Sequence, residues 1–135
     1  MTDLLAGLGF RERRAVRRLL EPRAFESGDE LITQGAAGAE FMVLLDGSTE
    51  ISVDGESVHV AQPGEFFGEL ALLPDISRSN GRRLATVTAA ETAEVGVCGR
   101  VAFTHLMEQH TQVGGRIVAQ AWALTGWVHD RRPDA

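Results

Sequence analysis

From Ala24 to Val97 the chain consists of short apolar runs cut by glycine-containing turns, and this texture narrows the folds open to it. Gly28, Gly35, Gly38, Gly47, Gly55 and Gly64 punctuate the segment, at the roughly ten-residue spacing of an antiparallel sandwich or barrel. ISV and VHV flank Asp54-Gly55, with Ile51, Val53, Val58 and Val60 alternating on either side. Asp-Gly between alternating apolar residues is a strong hairpin signal, because the type I′ two-residue turn needs positive φ at both central positions. ATVTAAETAEVGVCG supplies at least one further strand.

The flanks have a different period. FRERRAVRRLL, residues 10 to 20, sets Phe10, Val16, Leu19 and Leu20 against five arginines, which predicts a short amphipathic helix ended near Pro22. The arginines read as a solvated face. RVAFTHLMEQH, residues 100 to 110, is helical in texture, and VGGRIVAQAWALTGWVHD, 113 to 130, gives a second helix after Gly114-Gly115. Ile117, Ala121, Leu124 and Val128 make a narrow apolar stripe along it, suited to its own barrel or to a twin helix. The polar tail RRPDA is expected to fray. The predicted fold is mainly β with flanking helices: an antiparallel β-roll of the double-stranded β-helix or jelly-roll kind, with an N-terminal helix and two C-terminal helices. We read residues 1–135 as one domain, divided into an N-terminal helical segment (1–23), the β-roll (24–99) and the C-terminal helices (100–130).

Composition removes several function classes. Hydrophobic residues make up 44% of the 135 and charged residues 24%, an ordinary globular balance. No apolar run approaches the ~18 residues of a membrane span and the N-terminus lacks a signal-peptide core, so no membrane partner and a reducing, cytoplasmic location are expected. Cys98 is the only cysteine, which excludes a disulfide, a cysteine-rich zinc site or a cysteine-held cluster within one chain. A net charge of −6 disfavours bulk nucleic-acid binding, and the length leaves no room for a helix-turn-helix unit after the last helix, so no DNA partner is expected. All thirteen basic residues are arginine; an anion site must therefore use a guanidinium fork or backbone amides. His59 stands alone in the β region while His105, His110 and His129 fall on predicted helices, which does not suit a metal cupin. No phosphate loop, nucleophile elbow or cysteine–histidine pair is present, and neither an enzyme nor a metal is expected.

The segment EFFGELALLPDISRSNGRRLATV, residues 65 to 87, carries the chemistry. A reversal at Gly68 followed by Glu69-Leu70-Ala71-Leu72-Leu73 reads as one or two helical turns with outward amides, an anion site. A carboxylate beside an anion site serves hydroxyls better than phosphate, so Glu69 suits a sugar. Arg82-Arg83 offers a fork for phosphate oxygens, and Leu84-Ala85-Thr86 opens the next strand. A carboxylate for ribose and an arginine for phosphate together specify a nucleotide.

With these residues in view, 24–97 resembles the cyclic-nucleotide-binding domain of the catabolite activator protein and of the regulatory subunits of cyclic-AMP-dependent protein kinase. The matching pieces are SGDELITQGAAGAEFMVLLDGSTEIS at 27 to 52 and FGELALL with RLATV within 67 to 87. The resemblance implies a phosphate-binding cassette over 67–87. It assigns Glu69 to the ribose 2′-hydroxyl and Arg83 to the cyclic phosphate, with Arg82 as second choice. It also implies backbone contacts at Gly68, Leu70 and Ala85, with Leu84 and Thr86 beside them. Trp127 is a candidate base cap, or equally a core or interface tryptophan. The chain departs from the family pattern in a polar insertion at 74–82, and in Leu84, where many members carry a small residue. The implied ligand is cyclic AMP or cyclic GMP, with no cofactor. The implied role is a regulatory sensor that signals through its C-terminal helix to a twin subunit or to a protein target. The alternative is a degenerate fold that acts only as an interaction or dimerisation module, its cassette filled by Leu84 or by the insertion.

Overall fold

The computed structural model describes residues 3–68, 72 and 82–131, with side chains through residue 123. In chain order the described elements are helix α1 (Phe10–Arg18), strands β1 (Glu21–Phe25), β2 (Glu30–Ile32), β3 (Phe41–Asp46), β4 (Thr49–Val53), β5 (Glu56–Ala61), β6 (Phe66–Phe67), β7 (Thr86–Ala89) and β8 (Ala93–Cys98), then helices α2 (Arg100–Gln109) and α3 (Thr111–Arg131). The strands form two four-stranded sheets, ordered β1-β8-β3-β6 and β2-β7-β4-β5, and all described pairings are antiparallel. This is the mainly β roll with flanking helices that the glycine spacing predicts.

The first sheet is covered on both faces, and strand periodicity shows how. Along β3, Phe41 and Val43 join a cluster with Leu4, Val16, Leu106 and Ile117 from the helices and the N-terminal segment. Met42 and Leu44, the alternate positions, join a second cluster with Ile51, Val87 and Val95 between the two sheets. Phe66 and Phe67 divide in the same way. Successive side chains of a strand point to opposite faces, so a continuous apolar run such as FMVLL is what a doubly covered strand requires. Phe41 lies at the centre of the helix-side cluster, its ring 5.7 Å from Phe66 and 5.2 Å from Phe103.

Three local features differ from the sequence reading. The β region begins at Glu21 rather than Ala24, with Pro22 inside β1 and paired to Gly96. Strand β1 is an edge strand, the one place in a sheet where a residue lacking its N–H is tolerated. Asp54 (φ 53°) and Gly55 (φ 81°) do form the tight turn, but the register between β4 and β5 shifts after Ile51–His59. That bulge reverses the facing of the residues beyond it, and Val60 is left 49% exposed. The last helix starts at Thr111, so Gly114-Gly115 lies within it. A Cβ on Gly114 would come 3.3 Å from the Met107 carbonyl oxygen, so the glycine lets α3 pass close to α2.

The α3 stripe serves the chain's own core at Ile117 and Ala121, both fully buried. Leu124 and Val128 have side chains outside the described residues. The first half of the stripe is therefore not a free output surface. Trp122, 58% exposed, occupies the outer side. The arginines of α1 face solvent while Val16 is buried. His59, the one histidine of the β region, has its Nε2 2.7 Å from Oε1 of the buried Glu65.

Candidate functional site

The site is assembled where the loop between β2 and β3 meets the start of β7. The Arg83 N–H donates to the Ala36 carbonyl and the Gly35 N–H donates to the Arg83 carbonyl, each at 2.8 Å. This two-bond bracket fixes the backbone of the arginine pair, and Ala37 and Arg82 form a β-bridge beside it. Because neighbouring residues on extended backbone face opposite ways, one arginine must turn in and the other out.

Arg83 turns in. It is 9% exposed, and its guanidinium donates to the Glu40 carbonyl at 2.9 Å and, at a longer 3.4 Å, to the Gly68 carbonyl. Arg82 turns out, with Nη1 donating to the Gly35 carbonyl at 2.9 Å. The two carbonyls accepting from Arg83 come from different parts of the chain, the end of the β2–β3 loop and the residue after β6. They fix the direction of a planar guanidinium, whose N–H groups form a rigid fork.

Two glycines make the cradle. A Cβ on Gly38 would lie 2.3 Å from Arg83 Nε, and a Cβ on Gly68 would lie 2.4 Å from the Glu40 carbonyl oxygen and 2.7 Å from Arg83 Nη1. Gly68 also has φ 89°, a left-handed conformation that L side chains rarely adopt. The guanidinium can be this deeply seated only because both positions lack side chains.

Around this centre, Thr86 Oγ1 accepts from the Gln34 N–H at 3.0 Å. Gln34 is itself clamped to the hairpin tip, its amide donating to Asp54 Oδ1 at 2.9 Å and accepting from the Asp54 N–H at 2.8 Å. Ala85 packs on the inter-sheet cluster. Leu84 is half-buried and belongs to neither described cluster. Glu40, whose backbone holds Arg83, also has its carboxylate 3.3–3.4 Å from the guanidinium of Arg23 on β1. Glu69, Leu70 and residues 74–81 of the insertion lie outside the described residues, as does the side chain of Trp127.

The structure thus brings Gly68, Arg83, Ala85 and Thr86 to one end of the roll and sets Arg82 on its rim. Sequence reasoning did not single out Gly38, the Glu40 carbonyl or Gln34. For Gly38 the signal is the Gly-Ala-Ala-Gly run at 35–38, dense for a single turn. A carbonyl contact leaves no trace in side-chain identity.

The class these features define is a β-roll flanked by helices, with an arginine seated in a glycine cradle beside the turn after β6. The chain belongs to the cyclic nucleotide-binding domain family, whose model matches residues 22–110. It is 37% identical over 106 residues to a cAMP-dependent protein kinase regulatory subunit from Yarrowia lipolytica, covering 77% of this chain and 27% of that protein. Among solved structures it is similar to cAMP-bound PfPKA-R (141-441), at TM-score 0.72 and 27% identity, covering 93% of this chain and 43% of the other. The fold also matches the Thermus thermophilus catabolite activator protein, at TM-score 0.75 and 23% identity, over 96% of this chain and 60% of that one. The chain spans about a quarter of the length of the curated relatives it matches.

Proposed function

We propose that the chain is a cyclic-nucleotide receptor, for cyclic AMP or cyclic GMP, in a regulatory rather than a catalytic role. The observation that carries this reading is Arg83. Arg83 is nine-tenths removed from solvent in a space that two glycines leave for it, an arrangement that a roll retained only for docking would not need. A cyclic phosphate, with its single negative charge, matches the planar, permanently charged fork that Arg83 presents.

In this reading Arg83 binds the phosphate and Glu69, the next residue after Gly68, accepts the ribose 2′-hydroxyl. The backbone at Gly68, Leu70 and Ala85 contacts the sugar phosphate. Thr86 offers its hydroxyl, Leu84 borders the phosphate and Trp127 caps the base. Arg82, already engaged at the rim, is the weaker candidate for the phosphate. The relatives' description as cAMP-dependent regulatory subunits and the cAMP-bound state of a structural neighbour support this ligand class. Signalling is a population shift: nucleotide favours the arrangement that presents all its contacts, and α3 passes the change to a twin subunit or a protein target. The setting we assign is cytoplasmic, in keeping with the free, buried Cys98; no described helix is long and apolar enough to cross a membrane.

Thermal unfolding of the chain with cyclic AMP, cyclic GMP and the open 5′-monophosphates tests the reading. A ligand at about 100 times its Kd adds about 2.7 kcal/mol to the folded state, so one or both cyclic nucleotides should raise Tm by several degrees and the open forms should not. No rise with either cyclic nucleotide at millimolar concentration would favour the interaction module.

A further inference from the structure

We propose that Gln120 is the positioning residue that ties α3 to the cassette side of the roll, so that movement of the cassette reaches α3 through this side chain. The inference rests on the receptor reading and adds the regulation of that same site. Gln120 is 8% exposed, and its Nε2–H donates to the Phe66 carbonyl at 3.1 Å, across 54 positions of sequence. Phe66 is two residues before Gly68, the residue whose carbonyl accepts from Arg83. One helical turn before Gln120, on the same face of α3, Arg116 donates to the Leu4 carbonyl at 2.9 Å and to the Asp3 carbonyl at 3.4 Å. The Leu4 N–H in turn donates to the Gly64 carbonyl at 2.8 Å. Helix α3 therefore grips residues 64–66 twice, directly through Gln120 and indirectly through Arg116 and Leu4.

The rest of that helix face is apolar: Val113, Ile117 and Ala121 are fully buried. Apolar contact is non-directional and tolerates small sliding, whereas a buried hydrogen bond is directional and costly to leave unmade. The polar pair sets where the helix sits on its apolar bed. A displacement of β6 that breaks or re-forms the Gln120 bond has two discrete outcomes for α3, the kind of two-state element that coupling between sites needs.

Hydrogen–deuterium exchange of the full chain, with and without cyclic AMP or cyclic GMP, tests this on the wild type, Gln120→Met and Ile117→Val. The methionine keeps the volume and removes the donor; the valine removes a buried methyl from the same face and leaves the donor. We expect nucleotide to slow exchange in the cassette of all three proteins. It should change exchange in α3 of the wild type and Ile117→Val but not of Gln120→Met, whose α3 exchanges about three- to tenfold faster without ligand. An α3 response in Gln120→Met equal to that of the wild type overturns the proposal. Should Gln120→Met not fold, Gln120→Asn, one methylene short of Phe66, carries the same prediction. If neither nucleotide alters the wild-type cassette, the receptor reading fails, and the ligand-free comparison decides the rest. Faster exchange in both β6 and α3 of the Gln120 variant supports the tie, and unchanged exchange removes it.

Discussion

A methyl group on Gly38 would stand 2.3 Å from Nε of Arg83, inside the space the guanidinium occupies. The loop glycine and the arginine 45 positions later are one unit: the first supplies the gap and the second fills it. Gly38 does not have positive φ, so Gly38→Ala strains no backbone and acts on the arginine alone. We expect a folded protein, little changed in circular dichroism, whose cyclic-nucleotide affinity falls at least tenfold, or about 1.4 kcal/mol.

Gly68→Ala should do more damage. There the added Cβ meets the Glu40 backbone at 2.4 Å as well as the guanidinium, and φ is 89°. Left-handed backbone alone costs an alanine roughly 1–2 kcal/mol, and backbone yields less readily than a side-chain tip. Chemical denaturation should show a loss of at least that size, where Gly38→Ala shows little.

Glu40 separates backbone from side-chain roles. Its carbonyl holds Arg83, while its carboxylate pairs with Arg23 at 3.3 Å in an exposed position. Exposed ion pairs contribute about 0–1 kcal/mol. Glu40→Ala should therefore leave nucleotide affinity within about threefold of wild type and stability within about 1 kcal/mol; a larger loss of affinity would show that the carboxylate itself matters to the site.

Much of the fold was legible because its signals are local. The Asp54-Gly55 turn is encoded in two residues. The apolar run at 41–45 tells of a strand covered on both sides, although only the structure divides it between two cores. What escaped depends on distant partners. Leu4, Leu5 and Leu8 are all buried, yet their short segment has no period that announces docking. Pro22 reads as a stop until β1 is known to be an edge, and Gly114-Gly115 reads as a helix break until α2 is seen passing at Met107. In the candidate site, the inward arginine follows from strand alternation once the register is known; the glycine that admits it follows only from the loop's path.

Cys98 gives a pH prediction. Burial pushes its thiol up to about 11 from the ordinary 9.0, because the charged thiolate is disfavoured away from water. Between those values the unfolded chain loses this proton before the folded one does, so the folded state binds more protons and this contribution to stability falls as pH rises through the window. Below pH 9 it is fully present. Alkylation by iodoacetamide at pH 8 should be far slower in the native protein than in denaturant, and the midpoint of unfolding should fall between pH 9 and 11 less steeply in Cys98→Ala.

Phe41 packs on Phe66 within the first sheet and ties that sheet to α2 through Phe103. Phe41→Ala should destabilise the protein by about 3–5 kcal/mol, the usual cost of emptying a core phenylalanine site. Denaturant titration followed by tryptophan fluorescence would measure it.

Isothermal titration of the wild type and Arg83→Ala with cyclic AMP and cyclic GMP tests Arg83 as a phosphate receptor most directly. We predict micromolar binding of at least one nucleotide by the wild type. Arg83→Ala should lose it by 30-fold or more, the about 2–5 kcal/mol typical of truncating one partner of a buried charge pair. Equal heats from the wild type and a folded Arg83→Ala, or none from the wild type with either nucleotide, would contradict it.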